Sequence, residues 1–291
     1  TCRAAQPPVD RFDYDWNDLH QLNRMGEKDV NLYLHLGDLL LASSASEKAL
    51  LMYTRKERRE FWFTYDSRLY WFKLDMDAYD REVQSFDIPE AGLTPAQREQ
   101  ALKRAGMVTC ISTVIPKPLY FQCNRITDES WYYFSIESGD GSISKQPFTP
   151  KQLTSSNEFK NRLLSTKNSW WTGSGKQLDR LMQDMMHNLK SVETIDYIGY
   201  SKEHKTFIYN EVAIRDGRIN KINDEDYFEF GRLSIKSLAK SPELNINTSE
   251  KEYDPSWSQH VVEAFGTAGT IATAYWLGSL FCEQIRAAHK S

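Results

Sequence analysis

The sequence predicts an α+β fold: a helical N-terminal part, antiparallel β-rich middle units with interspersed helices, and a helical C-terminal segment. Three patterns carry that expectation. Aromatic and β-branched runs of strand length crowd residues 60–74 and 107–138, parted by turn residues. Segments with complete capping signals, such as "LTPAQREQALKRAG" at 93–106, mark helices among them. A weakly polar run, "AFGTAGTIATAYWLGSLFC" at 264–282, lies near the C-terminus.

Composition bounds the function. With 291 residues, 40% hydrophobic and 26% charged, the chain has the make-up of a globular protein that buries a core. Its net charge of −4 supplies no global basic field, so nucleic-acid contact needs a local patch. Cys2, Cys110, Cys123 and Cys282 show neither C-x-x-C nor zinc-finger spacing, which fits a reducing, cytoplasmic setting. The N-terminus "TCRAAQPPVD" lacks the apolar stretch of a signal peptide and begins without Met, as a piece of a longer protein does. The 264–282 run approaches a membrane span in length. Its Gly, Ala and Thr content, with Glu283 and Arg286 following at once, favours a buried core helix and no membrane contact.

Read in order, residues 1–58 are helical. Asp15 or Asn17 caps a short helix to Met25 that Gly26 closes, and "KDVNLYLHLGDLLLASS" at 28–44 reads as a buried helix. "SEKALLMYTRKERRE" at 46–60 carries a helix into the basic cluster Arg55, Lys56, Arg58 and Arg59. "EFWFTYDSRLYWFKLD" at 60–75 is a hairpin about Asp66-Ser67. Thr94 caps the next helix, with Pro95 in its first turn, Gln97 closing a capping box and Gly106 as the stop. "MVTCISTVIP", "LYFQCNRIT" and "SWYYFSIES" follow as an antiparallel meander, sandwich- or barrel-like. Helices at 149–166 and 174–190 come next, the second aligning Leu178, Leu181, Met182, Met185 and Leu189 for core packing. Strands follow in "ETIDYIGY", "KTFIYNEVAI" and "RINKIN", the last two joined at Asp216-Gly217. "SPELNINTSEKEYDPSW" is an exposed linker, before helices near 256–265 and 268–289. The expected segments are 1–58, 59–165, 166–240, a linker at 241–255, and 256–291.

Four features bear on chemistry. "WTGSGKQ" at 171–177 imitates a phosphate-binding loop, but Trp170 replaces its first glycine and Gln177 the hydroxyl that would hold magnesium. The six histidines form no H-E-x-x-H or H-x-H pair. Asp10, Asp13, Asp15 and Asp18 could gather a metal, yet two of them stand where a helix needs its cap and first-turn acid. The basic cluster, continued by Arg68 and Lys73, adjoins the aromatic hairpin with Trp62, Tyr70 and Trp71. Single-stranded nucleic acid asks for cations along phosphates and rings under bases. The alternative makes the rings a buried face and the charges a solvated helix end.

"PPVDRFDYDWNDLHQ", with Asp15-Trp16-Asn17-Asp18-Leu19, resembles the closing segment of the Toprim domain in phage- and prophage-type primases. "VVEAFGTAGTIATAYWLGSLFCEQIRAAHKS" resembles the helical lead-in to the P-loop core of large phage-type primase–helicases, and "WWTGSGKQLDRLMQDM" through "YNEVAIRDGRI" is similar to their middle region. The resemblance implies a stretch between two engines. Asp13-x-Asp15 mimics half a Toprim site without an upstream glutamate strand, and the chain holds no Walker A motif. Magnesium and ATP belong, on this reading, to the parent protein, with no cofactor here. The implied role is a non-catalytic central region of a DNA primase–helicase. It would contact single-stranded DNA or primer–template, the adjacent primase and helicase domains, and neighbouring ring subunits. The DNA-contact candidates are Arg55, Lys56, Arg58, Arg59, Arg68 and Lys73, with Trp62, Tyr70 and Trp71 stacking. Alternatives are a structural or oligomerisation module, and a magnesium-dependent nuclease or phosphotransferase using the N-terminal acids.

Overall fold

A computed structural model describes residues 3–8, 14–239 and 253–289. Asp10, Asp13 and residues 241–252 of the expected linker lie outside them. The fold is α+β, as the sequence predicts. Two compact units divide the chain: Thr1–Pro118 with Phe134–His187, and Leu119–Tyr133 with Asn188–Ser291. Both are discontinuous in sequence.

In the first unit, α1 (Trp16–Gln21) starts at Asp15, whose carboxylate accepts the Asp18 amide at 2.8 Å while Asp18 accepts the Asp15 amide at 3.2 Å. The helix stops at Leu22 rather than Met25, because Asn23 turns the chain at φ 54° and Gly26 instead opens α2 (Glu27–Leu41). The leucine-rich α2 is not a buried helix: Tyr33 and Gly37 are its buried residues, and Leu40 and Leu41 face solvent. Apolar side chains at 30, 32–34, 36 and 39–41 run round more of the helix than one packed face can cover. Gly37 is needed for close approach, since a Cβ there would stand 2.1 Å from the Ala4 carbonyl oxygen. Ser44 caps α3 (Ala45–Lys56), which ends at Glu57 in the left-handed region.

Strands β1 (Glu60–Tyr65) and β2 (Arg68–Leu74) form the expected hairpin, and β3 (Gly106–Ser112) pairs with β2. Asp66 and Ser67 both take positive φ, the geometry that matches the twist of two-residue hairpins. Helix α4 (Met76–Ser85), capped by Asp75, was not expected from the sequence; α5 (Pro95–Ala105) has its expected capping box. Gly106 does not end α5 as a left-handed cap: its φ is −79°, and it leads directly into β3. There a Cβ would meet the Leu102 carbonyl at 2.8 Å and the Phe72 ring at 3.0 Å. Ala49, Phe63, Phe72, Leu74, Tyr79, Ala101, Leu102 and Ala105 form the core between sheet and helices.

Strands β4 (Val114–Asn124) and β5 (Glu129–Ser138) contribute halves to both units. The first unit continues with β6 (Ile143–Phe148), α6 (Pro150–Thr154), α7 (Ser156–Leu163) and α8 (Gly175–Met185). A run of rings, Phe134, Phe148, Phe159 and Trp171, packs with successive centroids 4.9, 5.4 and 5.1 Å apart. Helix α8 buries Leu178, Leu181 and Met182, while Leu189 falls beyond its end.

The second unit holds β7 (Lys190–Ile195), β8 (Gly199–Ser201), β9 (Thr206–Ile208), β10 (Val212–Arg215), β11 (Arg218–Lys221), β12 (Phe228–Phe230) and β13 (Leu233–Ser237). Strands β8 to β11 make an antiparallel sheet, with Asp216 and Gly217 in the expected turn. The expected meander holds in part: β4, β5 and β6 are consecutive neighbours, but β3 pairs with β2 in a separate sheet, and β7 runs parallel to both β4 and β13. A parallel return needs a long crossover, which the helices between β6 and β7 provide. The β12–β13 hairpin, turning at Gly231 with φ 66°, was also not expected.

Helix α9 (Trp257–Leu280) precedes α10 (Cys282–Ala288) and kinks at Gly266 (φ 61°), near the expected break between two helices. The buried-core expectation fails here. No residue of α9 is buried, and Phe265 and Tyr275 are 70% and 79% exposed. At its C-terminal end Phe281 packs edge-on to Phe207. Among the described residues, no helix is long and apolar enough to cross a membrane.

Candidate nucleic-acid interface

Alternation sorts the hairpin's rings onto two faces. Phe61 pairs with Phe72 and Phe63 with Tyr70 on the face that meets the helical core. Their rings stack at 4.9 and 5.7 Å. Glu60, Trp62, Lys73 and Trp71 share the opposite face. Trp71 is only 5% exposed and donates its indole N–H to Glu60 at 3.1 Å, so it offers no ring face to a base. Tyr70 is half-buried against Phe63 and Tyr65, and burial pushes its phenol pKa up. Trp62 is half-buried and donates to Asp184 at 3.1 Å, which Arg180 also engages at 3.4 Å. The rings are chiefly core; Trp62 lines one cavity, and the nearly buried Trp71 borders another of about 270 Å³ with Glu60 and Lys73.

Arg55, Lys56, Arg58, Arg59, Arg68 and Lys73 are all exposed. The first four sit together where α3 passes into β1. Lys73, opposite Glu60, lies at the same end of the hairpin, whereas Arg68 stands at the turn end. Five residues of strand separate those two, about 17 Å. Lys56 and Arg58 line a cavity of about 350 Å³ with Met52, Phe61, Trp62, Asp184 and His187. The cationic field is felt nearby: burial, then Arg55 and Lys56, lower the His35 pKa against the opposing pull of Asp38. Lys48 is also lowered by burial, its ammonium donating to the Thr64 carbonyl at 2.8 Å. His187 joins the cavity from beyond the α8 end, a member that sequence proximity could not reveal.

The two other motifs resolve locally. Ser174 and Gln177 of the loop imitating a phosphate binder form a capping box on α8. Asp15 and Asp18 serve the start of α1.

A second polar cluster, in the other unit, contains a single histidine and so has no paired-histidine motif. His204, in the β8–β9 turn, has a side chain 7% exposed. Its Nε2 lies 2.7 Å from Glu193 Oε2 and its Nδ1 lies 2.7 Å from Ser201 Oγ. Arg125 reaches Glu193 at 2.5 Å and Glu203 at 3.7 Å. Only the adjacent Glu203-His204 pair hinted at it; Glu193 arrives from β7 through the fold. No protein-family model and no curated protein sequence matches the chain.

Proposed function

We propose that this chain is the central region of a phage-type Toprim primase–helicase, without a complete active site of its own. It connects the two activities and holds single-stranded DNA or primer–template at the α3–β1 junction. The observation that carries the reading is the cavity where Lys56 and Arg58 adjoin Trp62 and His187, with Arg55 and Arg59 beside it. Cations there follow the phosphates, and the Trp62 edge contacts a base, while most hairpin rings remain structural. Titrating a fluorescent oligonucleotide at low salt tests it. The expected result is salt-sensitive binding that weakens at least about tenfold in Arg58→Glu/Arg59→Glu, with a smaller salt slope. No binding at low salt, or unchanged binding by the double variant, overturns it.

A second reading, a structural or oligomerisation module packing on neighbouring ring subunits, draws support from α9, whose apolar side chains are uncovered.

A further inference from the structure

We propose that Glu193, Glu203 and His204 form a binding site for a divalent transition metal of the zinc class. One ligand atom from each lies within 4.8 Å of the other two. A tetrahedral ion with bonds of about 2.0–2.2 Å places its ligands roughly 3.3–3.6 Å apart. His204 Nε2 and Glu193 Oε2, hydrogen-bonded at 2.7 Å, need to part by less than about 1 Å to take adjacent positions, and the half-exposed Glu203 carboxylate lies within 4.8 Å of both.

This is more than a patch of surface acids. The imidazole is buried, and its orientation is fixed by a partner that is itself buried: Ser201 is 1% exposed and holds Nδ1. As the residues stand, the acceptor-only Glu193 carboxylate takes Nε2–H; a metal at Nε2 displaces that proton, and Ser201 Oγ, which can donate or accept, then accepts from Nδ1–H. Such an outer partner sets the tautomer of metal-binding histidines. The three residues also line a cavity of about 370 Å³ with Arg125, Lys205, Arg215 and Leu233, leaving room for an ion and its remaining ligands.

The neighbouring cations decide which ion. Arg125 bridges both carboxylates and is the group a metal must displace. With Lys205 and Arg215 on the same wall, a hard cation held by charge alone gains little. An ion that forms a directional bond to imidazole gains more, which favours zinc or cobalt over magnesium. The guanidinium side chain of Arg125 is largely exposed and can swing away.

This site is independent of the nucleic-acid reading, and its test uses no DNA. Zn²⁺ is titrated calorimetrically into the full chain, and Co²⁺ absorption reports the ligand type. One equivalent should bind, without the thiolate band that any of the four cysteines would produce. Glu203→Gln, at an exposed position, should weaken binding at least about tenfold with unchanged circular dichroism. Arg125→Gln should tighten it several-fold by removing the competing cation, an effect a purely structural ion-pair network does not predict. His204→Gln should abolish binding; should that variant fail to fold, Glu203→Gln and Arg125→Gln decide. The proposal is overturned by a lack of saturable binding, by thiolate absorption, or by affinities equal across wild type, Glu203→Gln and Arg125→Gln.

Discussion

Ser156 illustrates how much one side chain holds at the residue scale. Its hydroxyl accepts the Trp171 indole N–H at 2.9 Å and donates to the Gly173 carbonyl at 2.7 Å. Trp171 is buried edge-on to Phe159, and a Cβ at Gly173 would come within 2.4 Å of its ring. Ser156→Ala leaves a buried donor and a carbonyl without this partner, which costs about 1–3 kcal/mol. Urea unfolding should show the midpoint falling with the slope unchanged; an unaltered midpoint would mean that water replaces the hydroxyl. Neither Ser156, within an expected helix, nor Gly173 is marked in the sequence as a partner of Trp171. Their role follows from where Trp171 comes to rest. Asp15, one of two caps the sequence offered, and Thr94 were legible, because a cap acts on amides two or three residues away.

Strands β4, β5 and β13 meet around a tyrosine pair. Tyr120 and Tyr133 stack at 5.0 Å, and Lys236 Nζ lies 3.8 Å from the Tyr133 ring centroid and donates to Tyr120 Oη at 3.1 Å. Tyr133 donates its phenol to Asp226 at 3.2 Å. Burial first, then the Asp226 charge and that hydrogen bond, push the Tyr133 pKa from 10.0 up to about 12. Burial, followed by its neighbours Tyr133 and Asp226, raises Tyr120 further. Both native pKa values exceed the unfolded one, so the unfolded chain loses these protons first. Their contribution is intact below pH 10 and declines as pH rises from about 10 toward 12. Urea unfolding across pH 8–12 should therefore show a shallower alkaline decline for Tyr133→Phe than for wild type; parallel curves would refute the assignment. At this scale local signals had uneven reach. The two-residue turns at Asp66-Ser67 and Asp216-Gly217 were readable from sequence. The parallel placement of β7 was not, because its partners are set by a crossover of many residues.

For the whole molecule, the exposed α9 is the main unbalanced feature. Trp257, Phe265, Tyr275, Trp276 and Phe281 are each 41–79% exposed, and Val262, Ile271, Leu277 and Ile285 join them. At about 150–250 Å² for a fully buried ring, the five rings alone offer roughly 440–740 Å² at these exposures. With the aliphatic side chains added, that approaches one partner's share of a standard interface. Within Trp257–Leu280, Glu263 is the single carboxylate, and Lys and Arg are absent. Two copies can thus approach without like charges opposed. A second copy is the expected occupant: light scattering should give a mass that rises with concentration, and Phe265→Asp/Tyr275→Asp should restore the monomer. A strict monomer at high concentration contradicts this.

The sequence by itself determined the α+β class, the hairpin, the helix caps and the basic cluster, all of which depend on neighbours a few residues apart. Tertiary structure decided the rest, because burial depends on what the remainder of the chain brings into contact. It placed Trp71, a stacking candidate by sequence, inside, and left α9, which read as buried core, outside. It also drew Glu193 from a strand to His204 in a turn, a convergence no local spacing encodes.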